Sequence, residues 1–425
     1  MGKGFNTFIT LTASLVSSSN RKKKIKRINR ENIINKGITY VGQTSVNKVI
    51  DDYENLGNVI LSGGDGFTRN ALIIQNIIQA RNNAEPVIVI HENHRQLETE
   101  VGINFRNNNY LRFIDEKNNY YDPLFGKSEQ EILEIISKAI LYENDGKIEV
   151  DDFVECILSI CRKKGTATYL NFLKKCPFKQ LTTVVMNMQT TGLIDINEAT
   201  RLIEYINNAS TGRCFVEHFF KELNCENVIS PSQDKLGRST SVIDCIKNNG
   251  ILCINVNSFA NKSTLDIIAS ELELGVMKYR KKVRLILLAD NFSDNKSINK
   301  ITKTLTHYVT WTISSQDVCV TVGEHKELSE WISMAHKVTI FKNSSKCAEK
   351  IAKELGDYEK TEITRAKAGN TSFGRFGLHF GANDNISTSK KRENKVNGND
   401  ITDLKPREFY LLNNYNATII KGVLV

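Results

Sequence analysis

The segment from Asn58 to Ile90 constrains the fold most strongly, because it contains a strand, a glycine-rich turn, a helix and a second strand in succession. Asn58–Ser62 has the apolar pattern of a buried strand, and Ala71–Ile78 has apolar residues at helical spacing. Pro86–Ile90 is a continuous apolar run of the kind that parallel sheets bury on both faces. The segment therefore predicts a βαβ unit within an α/β fold that has a mostly parallel sheet.

Further strands of this sheet are predicted on the far side of a long helical block. From about Ser128 to Leu223 the chain shows successive helical patterns with few strand signals, which predicts an all-helical insertion. Strand patterns then resume at four apolar segments, Ile251–Val256, Val283–Leu288, Val309–Ile313 and Val338–Phe341. The sequence thus predicts a sheet whose strands are separated along the chain by a helical domain.

These patterns divide the chain into five predicted segments. Residues 1–36 form a basic N-terminal segment, residues 37–127 the first half of the sheet domain, and residues 128–240 the all-helical insertion. Residues 241–360 form the second half of the sheet domain, and residues 361–425 form a polar linker followed by C-terminal strands.

The C-terminal segment is predicted from its composition. Residues 361–404 are rich in Asn, Ser, Gly and Lys, which indicates a linker or loop. Two short apolar runs follow, and they predict a last strand pair at Phe409–Leu412 and Thr418–Val425.

Composition excludes several classes of protein. The 425 residues include 40% apolar and 25% charged side chains and only 5 Pro, which excludes wholesale disorder and collagen-like or Pro-rich chains. Nine Cys residues are scattered through apolar segments and never form Cys-x-x-Cys, which predicts reduced core thiols and a cytoplasmic location. The apolar stretch Phe5–Val16 is shorter than the roughly 20 residues of a spanning helix, so we expect no membrane span and a short amphipathic or strand-like piece.

A basic run follows that apolar stretch. Seven Lys or Arg residues occur between positions 21 and 30, within a chain of net charge +9, and such a density attracts nucleic-acid phosphates or anionic lipid head groups. The alternative is a solvated, flexible tail. The candidate nucleic-acid contacts are Arg21, Lys22, Lys23, Lys24, Lys26 and Arg27.

The glycine-rich turn has the arrangement of a phosphate-binding loop, because a strand that enters a helix through such a turn gathers backbone N–H groups at the helix N-terminus. In the pattern Gly-x-x-x-x-Gly-Lys-[Ser/Thr], counted from Gly63, this chain has Thr68, Arg69 and Asn70 at the last three positions. Arg69 keeps a positive charge, and Asn70 offers an amide oxygen where a hydroxyl usually holds Mg²⁺. The candidate nucleotide-binding residues are Gly63, Gly64, Asp65, Gly66, Phe67, Thr68, Arg69 and Asn70. The alternative is a strand-to-helix turn that binds no nucleotide.

Two later strand ends carry further candidates. Asp290 follows the apolar strand Val283–Leu288 and is the candidate ligand for Mg²⁺. The next residue, Asn291, stands where a glutamate would activate water, but an amide lacks the basicity for that role. Gln316 follows Ser315 at the end of the next strand, where a side chain that contacts the γ-phosphate would lie.

Together and in this order, these elements resemble the type IV coupling protein branch of the FtsK/HerA-like motor ATPases. Tyr121–Leu124 resembles the family's aromatic-Asn-Pro-Leu element, and the helical block resembles its all-α domain. Ala289–Phe292 lies where the family has Asp-Glu-Phe, and Leu404–Phe409 resembles its closing turn before the last strands. The resemblance extends from about Gly57 to the end of the chain.

The resemblance implies a RecA-like P-loop NTPase core that binds ATP and Mg²⁺, assembles as a homo-oligomer such as a hexamer, and engages DNA or a DNA–protein cargo near a secretion-type membrane complex. The departures at Thr68, Arg69, Asn70 and Asn291 remove groups that act on the transition state. We therefore expect nucleotide binding with weakened or lost hydrolysis. The alternative is a pseudo-ATPase that recruits its partners without nucleotide.

Other signals are weaker. His91 and His94 stand three residues apart after a buried strand, but without a convincing third ligand a metal site is not expected. Arg280, Arg365 and Arg375 could each act on a neighbouring subunit's nucleotide, and the sequence does not distinguish them from ordinary surface arginines.

Overall fold

The structure is a computed structural model, and it consists of two compact units. It describes residues 2–425 except 47–56, 115–118, 144–149, 166–175, 224–237, 257–261, 289–298, 300, 304, 322–324, 375–376 and 415–416. The larger unit spans residues 45–339, and the smaller unit combines residues 1–44 with residues 340–425. This division joins the two ends of the chain. The five-segment division predicted from sequence stays a prediction.

A mostly parallel sheet forms the centre of the larger unit. Its strands are β2 (Val59–Ser62), β3 (Val87–His91), β4 (Leu111–Ile114), β7 (Ile251–Asn255), β8 (Val283–Leu288) and β9 (Val309–Ser315), with β10 (Lys337–Ile340) beside β2. The spatial order is β10-β2-β9-β8-β3-β7-β4, and β2, β9, β8, β3, β7 and β4 run parallel. The predicted α/β class with a mostly parallel sheet is confirmed.

The apolar runs of the sequence form the interior of this sheet. Every residue of β2, β3 and β8 is buried. Helices α2 (Gly66–Asn82), α3 (Arg95–Asn104), α9 (Val242–Lys247) and α10 (Lys262–Tyr279) lie between the strands along the chain. On α2 the apolar positions Leu72, Ile73 and Ile77 are almost fully buried, as their helical spacing predicts.

The amino ends of the strands hold a buried ion pair. Arg284, near the start of β8, donates from Nη2 to Glu85 Oε2 at 3.3 Å and from Nη1 to the carbonyl oxygen of Gly57 at 3.1 Å. Both side chains are almost completely enclosed. Burial lowers the pKa of Arg284, and the Glu85 carboxylate opposes that shift.

The helical block lies between β5 (Tyr120–Tyr121) and β6 (Ser239–Thr240), which pair in parallel and thus hold the two ends of the block together. Its described helices are α4 (Glu129–Glu143), α5 (Asp151–Lys163), α6 (Leu181–Thr190), α7 (Ile196–Asn208) and α8 (Ser210–Leu223), with a short 3₁₀ turn at Phe178–Gln180. Ile132, Ile135 and Ile140 of α4, which predicted the helical character, are fully buried.

The junction between this block and the sheet is a buried polar network. Glu271 of α10 accepts hydrogen bonds from the backbone N–H groups of Val242 and Ile243 and from the hydroxyl of Tyr121 at 2.8–3.1 Å. Burial raises the pKa of Glu271 to about 7, although the charge of Lys127 opposes the shift. The Tyr121–Leu124 element therefore anchors the entry to the helical block.

The smaller unit contains helix α1 (Gly2–Lys36) and three strands in the order β1-β14-β13. These are β1 (Ile38–Thr44), β13 (Glu408–Asn413) and β14 (Thr418–Leu424). β1 pairs with β14 in parallel, and β13 pairs with β14 in antiparallel register. The last strand pair thus forms as its apolar pattern predicts. Helices α11 (Val318–Thr321) and α12 (His325–Met334) belong to the larger unit, whereas α13 (Ser345–Glu354) and α14 (Gly398–Thr402) belong to the smaller one.

The N-terminal segment differs from the predicted short amphipathic or strand-like piece, and from the flexible tail that was the alternative for the basic run. It is a continuous helix, and its contact with strand β11 (Asp357–Gly374) gives the physical reason. Asn32 donates to the carbonyl oxygen of Thr361 and accepts from the Thr361 N–H, both at 2.9 Å, and Ile28 is buried one turn earlier. The amide side chain of Asn32 thus satisfies the open edge of a strand.

Residues 361–404 also differ from the predicted linker or loop, because most of them form a long hairpin. β11 pairs in antiparallel register with β12 (Gly377–Asn394). Polar composition conceals this hairpin because its backbone ladder needs no apolar face. Cross-strand ion pairs join its base, with Lys360 Nζ 2.9 Å from Glu393 Oε1 and Lys390 Nζ 2.6 Å from Glu359 Oε1.

The sequence predicts reduced thiols and no membrane span, and the described residues bear on both. All eight cysteines within them are free thiols, and Cys225 lies outside them. No helix within the described ranges combines the length and the apolar character that crossing a bilayer requires.

Candidate nucleotide-binding site

The glycine-rich turn joins the carboxyl end of β2 to α2. Gly63 and Gly64 have φ values of 80° and 69°, so two consecutive residues occupy the left-handed region that side chains disfavour. The Gly63 N–H donates to the carbonyl oxygen of Ser315 at 3.0 Å, which fixes the turn against β9. Glycine is thus required here by backbone conformation.

The turn is shorter than the sequence pattern implies. Helix α2 begins at Gly66, so only Gly63, Gly64 and Asp65 separate it from β2. Thr68, Arg69 and Asn70 lie within the first turns of the helix and are buried. The predicted eight-residue loop is therefore a three-residue turn followed by helix. Gly66 has open space around its Cα, and Phe67 exposes 58% of its surface.

Arg69 places a positive charge against this turn. Its Nη1 atom donates to the carbonyl oxygens of Gly63 at 2.7 Å and Gly64 at 2.9 Å. The side chain is 8% exposed, so the guanidinium is held against the backbone. These charge-assisted bonds stabilise the left-handed glycine pair. The cation expected from the sequence is therefore located at the turn, with part of its donor capacity used by the protein.

Asp65 places a negative charge at the same turn. It is the N-cap of α2, and its Oδ1 accepts the Thr68 N–H at 2.6 Å. A carboxylate at the positive end of a helix is favourable, as a phosphate would be. Asp65 therefore uses one of the amides that a phosphate-binding turn offers, and its charge repels an incoming phosphate.

The end of β9 brings Gln316 next to the turn. Ser62 and Ser315 are paired in the parallel register of β2 and β9, and Gln316 follows directly and is exposed. The Asn76 side-chain amide of α2 donates to Thr312 Oγ1 of β9 at 2.8 Å, which fastens the helix to this strand. The turn and Gln316 thus share one edge of the sheet.

Asp290 and Asn291 lie outside the described residues. They follow β8, which lies between β9 and β3 and ends in register with His91. Arg375 and the side chain of Arg365 also lie outside the described part. Arg280 is exposed just before β8, at the amino end of that strand and hence at the opposite edge from the turn.

His91 is the last residue of β3 and is completely buried. Its Nε2 atom lies 3.1 Å from Glu98 Oε1 on α3, and its ring centroid lies 6.3 Å from that of His94. Within the described ranges these side chains do not bring three ligand atoms together as a metal site requires. Sequence reasoning missed Glu98, although its position on the helix after the His-x-x-His pair could have indicated it.

The basic run lies on α1. Its outward-facing cations are exposed, and they are Lys22, Lys23, Lys24, Lys26 and Arg27. At 100° per residue most of them project away from the line of Arg21, Ile25, Ile28 and Asn32, which is the more buried side and contains the β11 contacts. Arg27 is paired with Glu31 at 3.2 Å. The helix therefore presents a row of cations to solvent.

Comparison with known proteins identifies the fold. No protein-family model and no curated protein matches the sequence. Among solved structures, the unbound bacterial conjugative coupling protein TrwB has a TM-score of 0.54 at 12% identity, over 90% of this chain and 91% of that chain. Plasmid coupling protein TrwB with the GTP analogue GDPNP has a TM-score of 0.52 at 13% identity, over 90% and 89%. The same protein with ADP and Mg²⁺ has a TM-score of 0.51 at 12% identity, over 90% and 89%.

This likeness shows the fold. The chain has the fold of the conjugative coupling protein TrwB, as its ordered motifs predict.

Proposed function

We propose that this chain, with its coupling-protein fold, binds a nucleoside triphosphate weakly at the Gly63–Asn70 segment and engages DNA or a DNA–protein complex. Hydrolysis is weakened relative to a motor that has intact catalytic motifs. The observation that carries the nucleotide assignment is the position of Arg69 against the left-handed glycine pair, where a positive charge meets the N-terminus of α2. TrwB, whose fold this chain shares, has been solved with ADP and Mg²⁺.

Weak nucleotide binding follows from the two charged side chains that contact the turn. The Asp65 carboxylate uses the Thr68 amide, and the Arg69 guanidinium bonds the turn carbonyls. A triphosphate would meet one fixed anion and a cation that is already partly satisfied. Weak hydrolysis follows from Asn291, since an amide cannot accept a proton from water.

Mg²⁺ is part of this proposal through its oxygen ligands. Asn70, in the first turns of α2, and Asp290, after β8, are the residues that would hold the ion. Their amide and carboxylate oxygens suit the preference of Mg²⁺ for oxygen ligands. When bound, the ion would neutralise phosphate charge. Gln316 would contact the γ-phosphate from the neighbouring strand end.

DNA engagement is supported by the distribution of charge. The smaller unit contains 24 Lys and Arg against 11 Asp and Glu, a net charge of +13, whereas the larger unit has 33 against 37, a net charge of −4. The positive excess of the chain therefore belongs to the smaller unit, and α1 presents part of it to solvent. Such a surface suits contact with a phosphate backbone.

The assembly and its location are further parts of the proposal. Coupling-protein architecture supports a homo-oligomer such as a hexamer, which would act from the cytoplasm at the periphery of a secretion-type complex. Mass photometry of the purified chain with and without nucleotide tests the oligomer. A strictly monomeric protein under every condition would contradict this part.

A second candidate function is a pseudo-ATPase module that recruits partners without nucleotide. The observation that favours it is that Asp65 and Arg69 close the turn with contacts internal to the protein. The two candidates differ in one measurement, which is the affinity of the full chain for an ATP analogue with Mg²⁺. Measurable binding that is lost in Arg69→Ala supports the first, and no binding at millimolar analogue supports the second.

DNA engagement has its own test. We expect the triple variant Lys22→Ala, Lys23→Ala, Lys26→Ala to weaken duplex binding and to reduce the salt slope by about 3, since each phosphate contact contributes about 0.9. The matched control removes three exposed lysines from the acidic larger unit, Lys179, Lys221 and Lys282. Equal loss in both triples would contradict a localised DNA surface.

A further inference from the structure

The proposed function leaves the attacking water without a base, because Asn291 stands where a glutamate is expected. The edge of the sheet that holds the turn also holds an ionisable pair outside the proposed binding residues. This pair is His91 of β3 and Glu98 of α3. A role for this pair in hydrolysis rests on the proposed nucleotide site.

His91 lies in the middle of the carboxyl edge. In the parallel register it is level with Leu288, the last residue of β8, and with Asn255, the last residue of β7. Ligands of open α/β sheets bind beyond the carboxyl ends of the strands. The pair is therefore on the same edge as the glycine turn and next to the strand that leads to Asp290.

Both side chains of the pair contain buried polar atoms without a hydrogen-bond partner among the described residues. Neither ring nitrogen of His91 nor Oε1 of Glu98 has a hydrogen-bond partner within the described part of the chain. The 3.1 Å approach of Nε2 to Oε1 is therefore a close contact without hydrogen-bond alignment. His91 has no exposed surface, whereas the Glu98 side chain retains 15% exposure. Leaving buried polar atoms unpaired costs free energy, which a purely structural pair would avoid.

Glu98 contributes the carboxylate of this cluster. On β7, Cys253 is close enough to Glu98 for the carboxylate to contribute to the raised pKa of the thiol, which burial dominates. His94 precedes α3, and its ring is edge-on to His91. Glu98 is therefore the acceptor with access to solvent, and His91 is the buried group that contacts it.

The distance between the glycine turn and β3 is compatible with a role of Glu98 in hydrolysis. The spatial order β2-β9-β8-β3 places β3 three strand spacings from the turn, or about 14 Å at about 4.8 Å per spacing. Placed end to end, a triphosphate, an attacking water and a glutamate side chain would be long enough to cross this interval.

We propose that Glu98 is the catalytic base for the residual hydrolysis and that His91 is a positioning residue that holds its carboxylate. The Glu98 carboxylate accepts a proton from water while the water oxygen forms a bond to the γ-phosphorus. The bond from that phosphorus to the β,γ-bridging oxygen breaks, and its electron pair leaves on the β-phosphate of ADP. Inorganic phosphate departs, and Glu98 releases its proton to solvent.

The test measures turnover and nucleotide affinity of the full chain under single-turnover conditions with ATP and Mg²⁺. We expect Glu98→Gln to lower the rate constant by about 100-fold or more, the range of a general base, with nucleotide affinity unchanged. His91→Leu should lower it by about tenfold, and His91→Gln, which keeps a side-chain N–H, should restore most of the loss. The matched control is Glu100→Gln on the same helix, which should leave the rate unchanged.

The possible failures are distinguishable. If the wild-type chain binds ATP but shows no turnover, or if Glu98→Gln turns over at the wild-type rate, the base assignment is overturned and the proposed binding function stands. If the wild-type chain binds no nucleotide, the proposed function itself fails. Equal loss of affinity and rate in Glu98→Gln would assign the pair a structural role and would also overturn the proposal.

Discussion

The charge of Asp65 should limit nucleotide affinity, and Asp65→Asn isolates that charge. Asparagine is as good an N-cap as aspartate, and its side-chain oxygen can accept the same Thr68 N–H that Asp65 accepts at 2.6 Å. The backbone of the turn should therefore be preserved. What changes is one negative charge at the N-terminus of α2, where the triphosphate is proposed to bind.

The size of the effect follows from Coulomb's law. One unit charge about 6 Å from another contributes about 0.7 kcal/mol at the dielectric constant of water and about 2.8 kcal/mol at an effective dielectric of about 20. Because Asp65 is exposed, the lower figure applies. We therefore expect Asp65→Asn to bind an ATP analogue roughly threefold more tightly at low ionic strength, with the gain reduced by salt.

The assay is a titration of a fluorescent ATP analogue in the presence of Mg²⁺, with a second N-cap as the control. Asp195 caps α7 by accepting the Glu198 N–H at 2.8 Å, so Asp195→Asn makes the same substitution in the same motif within the helical block. The control should leave nucleotide affinity unchanged. Unchanged or weaker binding by Asp65→Asn would refute the reasoning that this carboxylate competes with phosphate.

Three further predictions concern stability. Because the pKa of Glu271 is raised to about 7, the folded state holds a proton that the unfolded state releases near pH 4.5. The free energy of unfolding should therefore fall as pH rises from about 4.5 to 7. Glu271→Gln removes this titration and should show a smaller difference in Tm between pH 5 and pH 8. Glu85→Ala should lower the free energy of unfolding in urea by about 3 kcal/mol or more, because it removes the carboxylate that contacts the buried Arg284 guanidinium, and a loss below about 1 kcal/mol would contradict this. Asn32→Ala should speed trypsin cleavage within α1 through loss of its two hydrogen bonds to the β11 backbone, whereas Asn29→Ala, an exposed change on the same helix, should not.

Sequence reasoning succeeded where the signal was local and periodic. The runs that form β2, β3 and β8 are continuous and apolar because those strands are buried on both faces, and the helical spacing after the turn reflects the buried side of α2. The order of these elements was enough to predict the α/β fold with its mostly parallel sheet. The short apolar runs near the C-terminus also predicted the last strand pair.

It failed where tertiary contacts decide the conformation. The β11–β12 hairpin depends on backbone pairing between two polar segments, which no hydrophobic period reveals. Helix α1 is held by the reciprocal bonds between Asn32 and Thr361, more than 300 residues apart. Both features belong to the smaller unit, which joins the two ends of the chain.

At the site, residue types were predictable but their roles were not. The sequence identified Arg69 as a retained charge, but only the structure shows that it bonds Gly63 and Gly64. Asp65 was identified only as part of the turn, and its capping bond depends on where α2 begins. The proximity of Glu98 to His91 arises from the direction in which α3 leaves the sheet edge.

The most direct test of the account is the binding and turnover of ATP with Mg²⁺ by the purified chain, with and without DNA. The account predicts weak but measurable binding, with turnover that is slow and depends on Glu98. Tight binding with rapid, DNA-stimulated turnover would contradict the weakened site, and complete absence of nucleotide binding would contradict the nucleotide assignment itself.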